Sequence, residues 1–560
     1  MLSPQFIPLL AALALPLQDA PDPVASHEPA TLFTNATIYL GDSQGTRVSA
    51  MLVEGGRVIE FGGEHQFAER RFGSGWEIVD LDGGFVVPGL QDSHIDVVAL
   101  GSRLREIDLT GATEVEAILA CLAEGSFAEG EWILAHGWEP VELPGLESEL
   151  QAKLTELYPA NPVRILHAEG TAGFLNRRAL SAAGFDDERQ LSLHGGSVER
   201  TENGTPTGLV FGRALEHVHE AQLGGSDEQL EQAILDAQEV LLSLGLTAVH
   251  DMGVSRESER AYRALLANGR LQMRVVGYLD GRHGLFPEWL ERGAVAPDEQ
   301  DRFCIQGVSL VADGSLSLRT ASLLRGYDSA PHRKAKWLPS SGELRGLIAS
   351  AMVAGLQPAV MATGDQACRT VLDVFEEVAF ANPATKKLRP RVEGALLASP
   401  KDWARFPLLG ALPSMQPYEA TANWIERRLP EDQVRGAVAW RDVASHIGTF
   451  ALGSRSPVRS PDPRIGLQAA RFLDKQGIAD DGDSVAKREL MAARAAVAGY
   501  TLGAAYAAHQ EDRRGQLFEG FWADMTVFDR NPIEGPAETL LDAQVILTII
   551  DGKVVWSADE

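Results

Sequence analysis

Two stretches far apart in this sequence share a character that the rest of the chain lacks. Residues 31–90 contain TLFTNATIYL, SAMLVEGGRVIEFGG and WEIVDLDGGFVVPG, which alternate in polarity, carry many β-branched residues and break at Gly-Gly or Asp-Gly turns. WADMTVFDRNP and VILTIIDGKVVWS, around Asp551-Gly552 near the other end, behave in the same way. Between these ends, helical segments alternate with short apolar ones. Residues 230–244 have helical spacing and lead into GLTAVHDMG, and SGELRGLIASAMVAGL leads into QPAVMATGD. Strand-rich ends around a repeated βα middle predict an α/β chain: a barrel of βα units with a small composite β-sandwich built from both ends. The expected boundaries are 1–30 for a leader and linker, 31–90 with 510–558 for the sandwich, and 91–509 for the barrel with its insertions. No internal repeat of fixed period stands out.

Composition narrows the function classes. The 560 residues are 45% hydrophobic and 23% charged, as in ordinary globular proteins. A formal net charge of −28 disfavours nucleic acid or an anionic membrane surface as partner. Cys121, Cys304 and Cys368 are odd in number and far apart, so they form neither a disulfide framework nor a cysteine-type zinc site. Residues 6–17, FIPLLAALALPL, are too short to span a bilayer but fit the core of a signal peptide. No Lys or Arg precedes that run, and Gln18-Asp19-Ala20-Pro21 is a poor cleavage site. Export to a periplasmic or extracellular location is the expectation, with the cytoplasm as the alternative. Residues 19–28 are expected to be a disordered linker.

The segment richest in chemistry is 89–96, GLQDSHID. Strand side chains alternate with period 2, so His94 and Asp96 face the same way. Two imidazoles at that spacing would be a metal-binding pair; here the second group is a carboxylate, which can also bind Zn²⁺. Further segments follow in order: WILAHGWEP (132–140), GTPTGLVF (204–211), GLTAVHDMG (245–253), ADGSLSLRTASLL (312–324) and TGDQACRTVLDVFE (363–376). SMQP (414–417), SPDPRIGL (460–467), YTLGAAYAA (500–508) and GFWADMTVFDRNP (520–532) complete the series. Together with VVPGLQDSH (86–94), they make the chain resemble the amidohydrolase-3 (YtcJ-like) family of metal-dependent hydrolases over about residues 31–557. The resemblance implies a (β/α)8 barrel of the TIM type, with its site at the C-terminal ends of the strands, plus the composite sandwich. It also implies metal-dependent hydrolysis of non-peptide C–N bonds.

Function nevertheless depends on the residues present. The first family histidine is kept as His94, and the second is Asp96. The family lysine before the D-G segment is Ser309, and the histidine of V-H-A-x-G-D is Met361. The histidine of E-H-A-Q is Gly394, and the aspartate of G-S-D-x-P is Arg455. Outside the metal positions, D-G-H reads Glu169-Gly170-Thr171, and Glu419 replaces the histidine after SMQP. A catalytic zinc needs about three protein ligands and an open position. Ser309 is a poor ligand, Gly394 offers none, and a Met361 thioether suits soft copper better than zinc. Arg455 can neither ligate a cation nor take a proton from water. About 4 Å from a doubly charged metal it would be repelled by roughly 8 kcal/mol at an effective dielectric of 20. The expectation is a degenerate, catalytically inactive site with no metal, no other cofactor, and at most a small-molecule ligand in the barrel mouth. A bidentate Asp96–Arg455 pair is expected to fill the metal's place. The alternative is an active hydrolase with an altered divalent-metal site around His94, Asp96 and carboxylates such as Glu393. A metal-independent enzyme is a third reading with no motif behind it.

Other residues receive plainer readings. His250 ends a barrel strand, and packing or hydrogen bonding is its expected role. His136 and His167 near strand ends are weak candidates for a rescued site, while His217 and His219 are expected at the surface. Asp313 and Arg319 are expected to shape a loop, and Asp365 to cap or brace a βα connection. Glu139, Glu169, Glu393 and Glu419 offer carboxylates, with no sign that two converge as an acid–base pair.

Overall fold

The structure is a computed structural model. It describes residues 29–559 apart from 71–73, 139–145, 168–169, 171, 186–195, 213, 216, 219–226, 282–284, 286, 317–318, 328–339, 418–428, 430–432, 434–439 and 472–490. The leader and linker expected at 1–28, and the candidates Glu139, Glu169, His219 and Glu419, lie outside the described residues.

Eight parallel strands make a nearly closed barrel. In chain order they are β1 (Leu90–Ile95), β2 (Leu246–Val254), β3 (Arg274–Asp280), β4 (Phe303–Val311), β5 (Gln357–Ala362), β6 (Arg391–Gly394), β7 (Leu412–Met415) and β8 (Ala451–Leu452). Closure follows from chain order, because β1 pairs β2 on one side and meets the end of β8 on the other. Asp96 N–H donates to Ser456 O at 2.9 Å, and Arg455 N–H to His94 O at 2.8 Å. The barrel strands are buried along all or nearly all of their length, which explains their apolar and β-branched runs. Helices cover the outside: α1 (Val97–Arg103), α2 (Asp227–Ser243), α3 (Arg256–Ala267), α4 (Ser341–Val353) and α5 (Asp365–Ala381). Gly101 lets α1 approach α2 closely, since a Cβ there would stand 1.8 Å from Ala233 O. None of the helices among the described residues is long and apolar enough to cross a membrane.

Both ends of the chain build two further sheets. A four-stranded sheet holds Thr31–Thr34, Ala50–Glu54, Arg57–Gly62 and Glu77–Asp80. A six-stranded sheet interleaves Arg47–Val48, Thr37–Tyr39 and Phe85–Pro88 with Met525–Phe528, Val545–Ile550 and Lys553–Ser557. Phe33, Met51, Val53, Val86, Met525, Val527 and Ile549 meet in one buried cluster between them. These two sheets are the composite sandwich that the strand-rich ends implied.

Residues 107–212 depart from a simple βα repeat. They form a separate six-stranded sheet between α1 and α2, with its own core around Leu109, Ile118, Ile133, Trp138, Leu150 and Phe174. His136 and His167 stand on this inserted sheet rather than on the barrel.

Candidate functional site

Arg391 and Glu393, two apart on β6, project into the barrel from the same face of the strand. The guanidinium is fully buried and reaches across the interior. Its Nε donates to Glu393 Oε1 at 2.6 Å, and its Nη1 donates to the Tyr278 hydroxyl and to His250 Nδ1, both at 2.8 Å. Its Nη2 donates to Ser93 O at 2.6 Å and to Ser414 Oγ at 3.1 Å. The Tyr278 hydroxyl in turn donates to Gln357 Oε1 at 2.6 Å. One network therefore links β1, β2, β3, β5, β6 and β7.

His94, at the C-terminal end of β1, shares a 2.8 Å hydrogen bond through Nδ1 with Glu393 Oε2. Burial alone would raise the Glu393 carboxyl, but Arg391 and then His94 outweigh it and hold it below its usual range. His250 is neutral: burial, and then the charge of Arg391, push its pKa well down. Because arginine only donates, Nδ1 of His250 accepts and Nε2 carries the proton. That Nε2 is buried without a hydrogen-bond partner among the described residues.

The six positions singled out from the sequence stand at or near the C-terminal ends of barrel strands. Ser309 lies near the end of β4 and Met361 near the end of β5, both buried. Met361 is in register with Glu393, and a Cβ on Gly394 would stand 2.9 Å from Met361 Sδ. The sulfur thus occupies the space that a side chain at 394 would enter. Asp96 turns its carboxylate to the first turn of α1, where Oδ1 accepts from Ala99 N–H at 3.0 Å and caps the helix. Arg455 follows β8 in a left-handed conformation, φ 65°, and is half-buried. Its positive charge acts on Asp313, beyond the end of β4. Among the described residues, no three His, Cys, Asp or Glu side chains come together as a set able to hold a metal ion. The six positions thus carry one imidazole, the Asp96 carboxylate, the Ser309 hydroxyl, the Met361 thioether, no side chain at Gly394 and the Arg455 guanidinium.

Several residues have purely structural partners. Asp313 accepts three backbone N–H groups, from Ser322, Thr363 and Gly364, at 2.8–2.9 Å. Burial pushes its carboxyl up to about 7, although those donors and Arg455 pull the other way. Asp365 accepts from Leu324 N–H at 2.9 Å and from the Gln433 amide at 2.7 Å, bracing the β5–α5 connection. Arg319 adopts a left-handed conformation in the loop after β4, φ 53°. His217 is half-buried beside the Phe185 ring at 5.8 Å, not free at the surface as its spacing suggested. His136 lies 3.8 Å from Asp108, and His167 packs edge-on against Trp138.

Sequence reasoning missed two buried carboxylates. Asp92 Oδ1 accepts from His94 N–H at 2.9 Å and Ser454 N–H at 3.0 Å, tying β1 to the end of β8. Burial pushes its pKa up to about 6. Asp251 accepts from the Tyr262 hydroxyl at 2.6 Å, and burial and the nearby Asp96 raise its carboxyl. Arg391 was missed as well; the Arg-x-Glu spacing on a strand was its one sequence signal.

Comparison with known proteins bears on this geometry. A family model described as "Amidohydrolase family" matches residues 77–556. The putative amidohydrolase YtcJ of Bacillus subtilis (strain 168) is 27% identical over 529 residues, which are 93% of this chain and 98% of that protein. The protein Long After Far-Red 3 of Arabidopsis thaliana is 26% identical over 99% of this chain and 96% of its own length. Among solved structures, an uncharacterized metal-dependent hydrolase from Pyrococcus horikoshii OT3 superposes with a TM-score of 0.75 at 27% identity. It covers 91% of this chain and 99% of that chain.

Proposed function

Since the chain belongs to the Amidohydrolase family, we propose that it is a degenerate member whose barrel binds no catalytic metal and hydrolyses no C–N bond. The observation that carries this reading is what stands around His94. Met361 Sδ fills the space beside Gly394, and Arg455 brings a positive charge to the strand ends where the family places its metal. No three His, Cys, Asp or Glu side chains gather there as a metal-holding set among the described residues. Hydrolysis in this family relies on a metal to lower the pKa of bound water and polarise the carbonyl. These residues offer neither a ligand set nor a proton acceptor at position 455. What the fold retains is a barrel mouth, and a small-molecule ligand there is the role we assign to it. Residues 6–17 support export as the location.

One observation favours a second reading, an altered-metal hydrolase. His94 Nδ1 is oriented by the Glu393 carboxylate, and metal-bound imidazoles commonly donate their other N–H to such a group. Elemental analysis of purified protein separates the two. The degenerate reading expects far less than one Zn, Fe, Mn or Ni per chain and no turnover of amide, formamide or cyclic C–N substrates. Full occupancy that disappears in His94→Ala would overturn it in favour of the altered-metal hydrolase.

A further inference from the structure

The floor of the barrel, opposite its mouth, holds a knot of arginines and carboxylates where barrel and sandwich meet. Arg274, at the start of β3, donates to both oxygens of Asp524 at 2.7 and 2.8 Å and also reaches Asp551. Arg302 takes the other oxygen of Asp551. Asp301 Oδ2 accepts from Arg513 Nε at 2.8 Å and from the Trp522 indole N–H at 2.7 Å. Arg514 is left over. It is 1% exposed, and Nε, Nη1 and Nη2 all lack a hydrogen-bond partner among the described residues. Its backbone lies in the seam: its N–H donates to Gln510 O, and Leu517 N–H, three residues on, donates to Leu40 O in the sandwich.

A guanidinium offers five N–H donors in a fixed fork and does not deprotonate near neutral pH. Burial lowers the Arg514 pKa only to about 10, so the side chain stays charged. After burial, the strongest influence on it is repulsion from Arg274; Asp524 and Asp301 help, but their hydrogen bonds are spent on Arg274, Arg513 and Trp522. An unpaired buried charge is among the costliest features a fold can keep. Water would satisfy the donors but leave two neighbouring guanidinium charges facing each other. A small anion satisfies the donors and offsets the charge.

We infer that Arg514 holds a single small inorganic anion of the halide class at the seam between barrel and sandwich. The site is independent of the barrel mouth and of whether that mouth is active. Crystals of the unmodified protein grown in bromide give an anomalous peak within hydrogen-bonding distance of the Arg514 nitrogens. In solution, at constant ionic strength balanced with gluconate, the melting temperature rises with chloride by about 1 °C per tenfold. Arg514→Met, which keeps the length of the side chain without its charge, removes that dependence. No bromide peak, together with the same chloride response in both proteins, overturns the inference and leaves a gap holding water only. If Arg514→Met does not fold, the bromide experiment on the unmodified protein decides alone.

Discussion

Removing the Arg391 guanidinium while keeping Glu393 strands a carboxylate that is 1% exposed. Arg391→Met retains the bulk of the side chain and deletes its hydrogen bonds to Glu393, His250, Tyr278, Ser93 and Ser414. Glu393 then keeps its hydrogen bond to His94, and the Ser93 carbonyl loses its side-chain donor. Breaking a buried ion pair from one side costs about 3–5 kcal/mol. A buried acceptor left without a partner adds about 1–3 kcal/mol. The single variant should therefore lose about 4–8 kcal/mol, enough to unfold many proteins. Arg391→Met with Glu393→Met removes both charges and should recover about 2–3 kcal/mol of that loss. Arg391→Lys keeps the charge without the fork and serves as the milder variant if the others fail to fold. Urea unfolding followed by tryptophan fluorescence gives the cycle. If the double variant equals the sum of the two singles within about 0.5 kcal/mol, the pair is not coupled and the reasoning fails. Glu393 also sets a pH sign. Its folded pKa is lowered, so its contribution is present above the unfolded value near 4.5 and disappears as pH falls through the folded one.

Asp313 should behave in the opposite sense. Its folded pKa of about 7 exceeds the unfolded 3.8, so its contribution is full below about 4 and is lost as pH rises through 7. Asp313→Asn should flatten the stability profile between pH 5 and 8, and an unchanged slope would exclude this group as its source. Restoring Asp96→His, Ser309→Lys, Met361→His, Gly394→His and Arg455→Asp together should recover metal in elemental analysis, whereas Arg455→Asp alone should recover almost none. Gly394→His by itself should be poorly tolerated, because φ is +82° and Met361 Sδ stands in the way. Asp96→Ala removes the cap of α1 and should cost about 1 kcal/mol, with Asp96→Asn close to neutral. Equal losses in both variants, read from thermal melts, would show that the carboxylate charge matters more than the cap.

The barrel and sandwich were legible because their signals are local. GLTAVHDMG and QPAVMATGD are apolar runs that end in polar residues, and they became β2 and β5 with their continuations. The six ligand positions, five of them altered, were readable from family segments, and the structure places them at or near strand ends. The Arg391 network was not readable, because its partners come from six strands that only barrel closure brings together. His250 was correctly read as a hydrogen-bonding residue, but its partner lies 141 residues away. Arg514 carries no signal in the sequence, because the burial that makes it unusual comes from packing two layers together. The inserted sheet of residues 107–212 gives short strands and helices that mimic βα units one by one, so only the pairing between its strands reveals it.

The six-stranded sandwich sheet carries a constraint on biosynthesis. Phe85–Pro88 pairs with Thr37–Tyr39 on one side and with Met525–Phe528 on the other. Leu90 N–H waits for the Thr526 hydroxyl 436 residues later. At about 5–20 residues per second, a ribosome needs roughly 20–90 s to cover that distance. Throughout that interval the nascent chain displays an unpaired edge on Phe85–Pro88, a strand fully buried in the finished protein. Such an edge invites pairing with other chains. A holdase acting on the emerging chain would find its target there, and a message truncated before codon 525 would yield a product that never closes that edge.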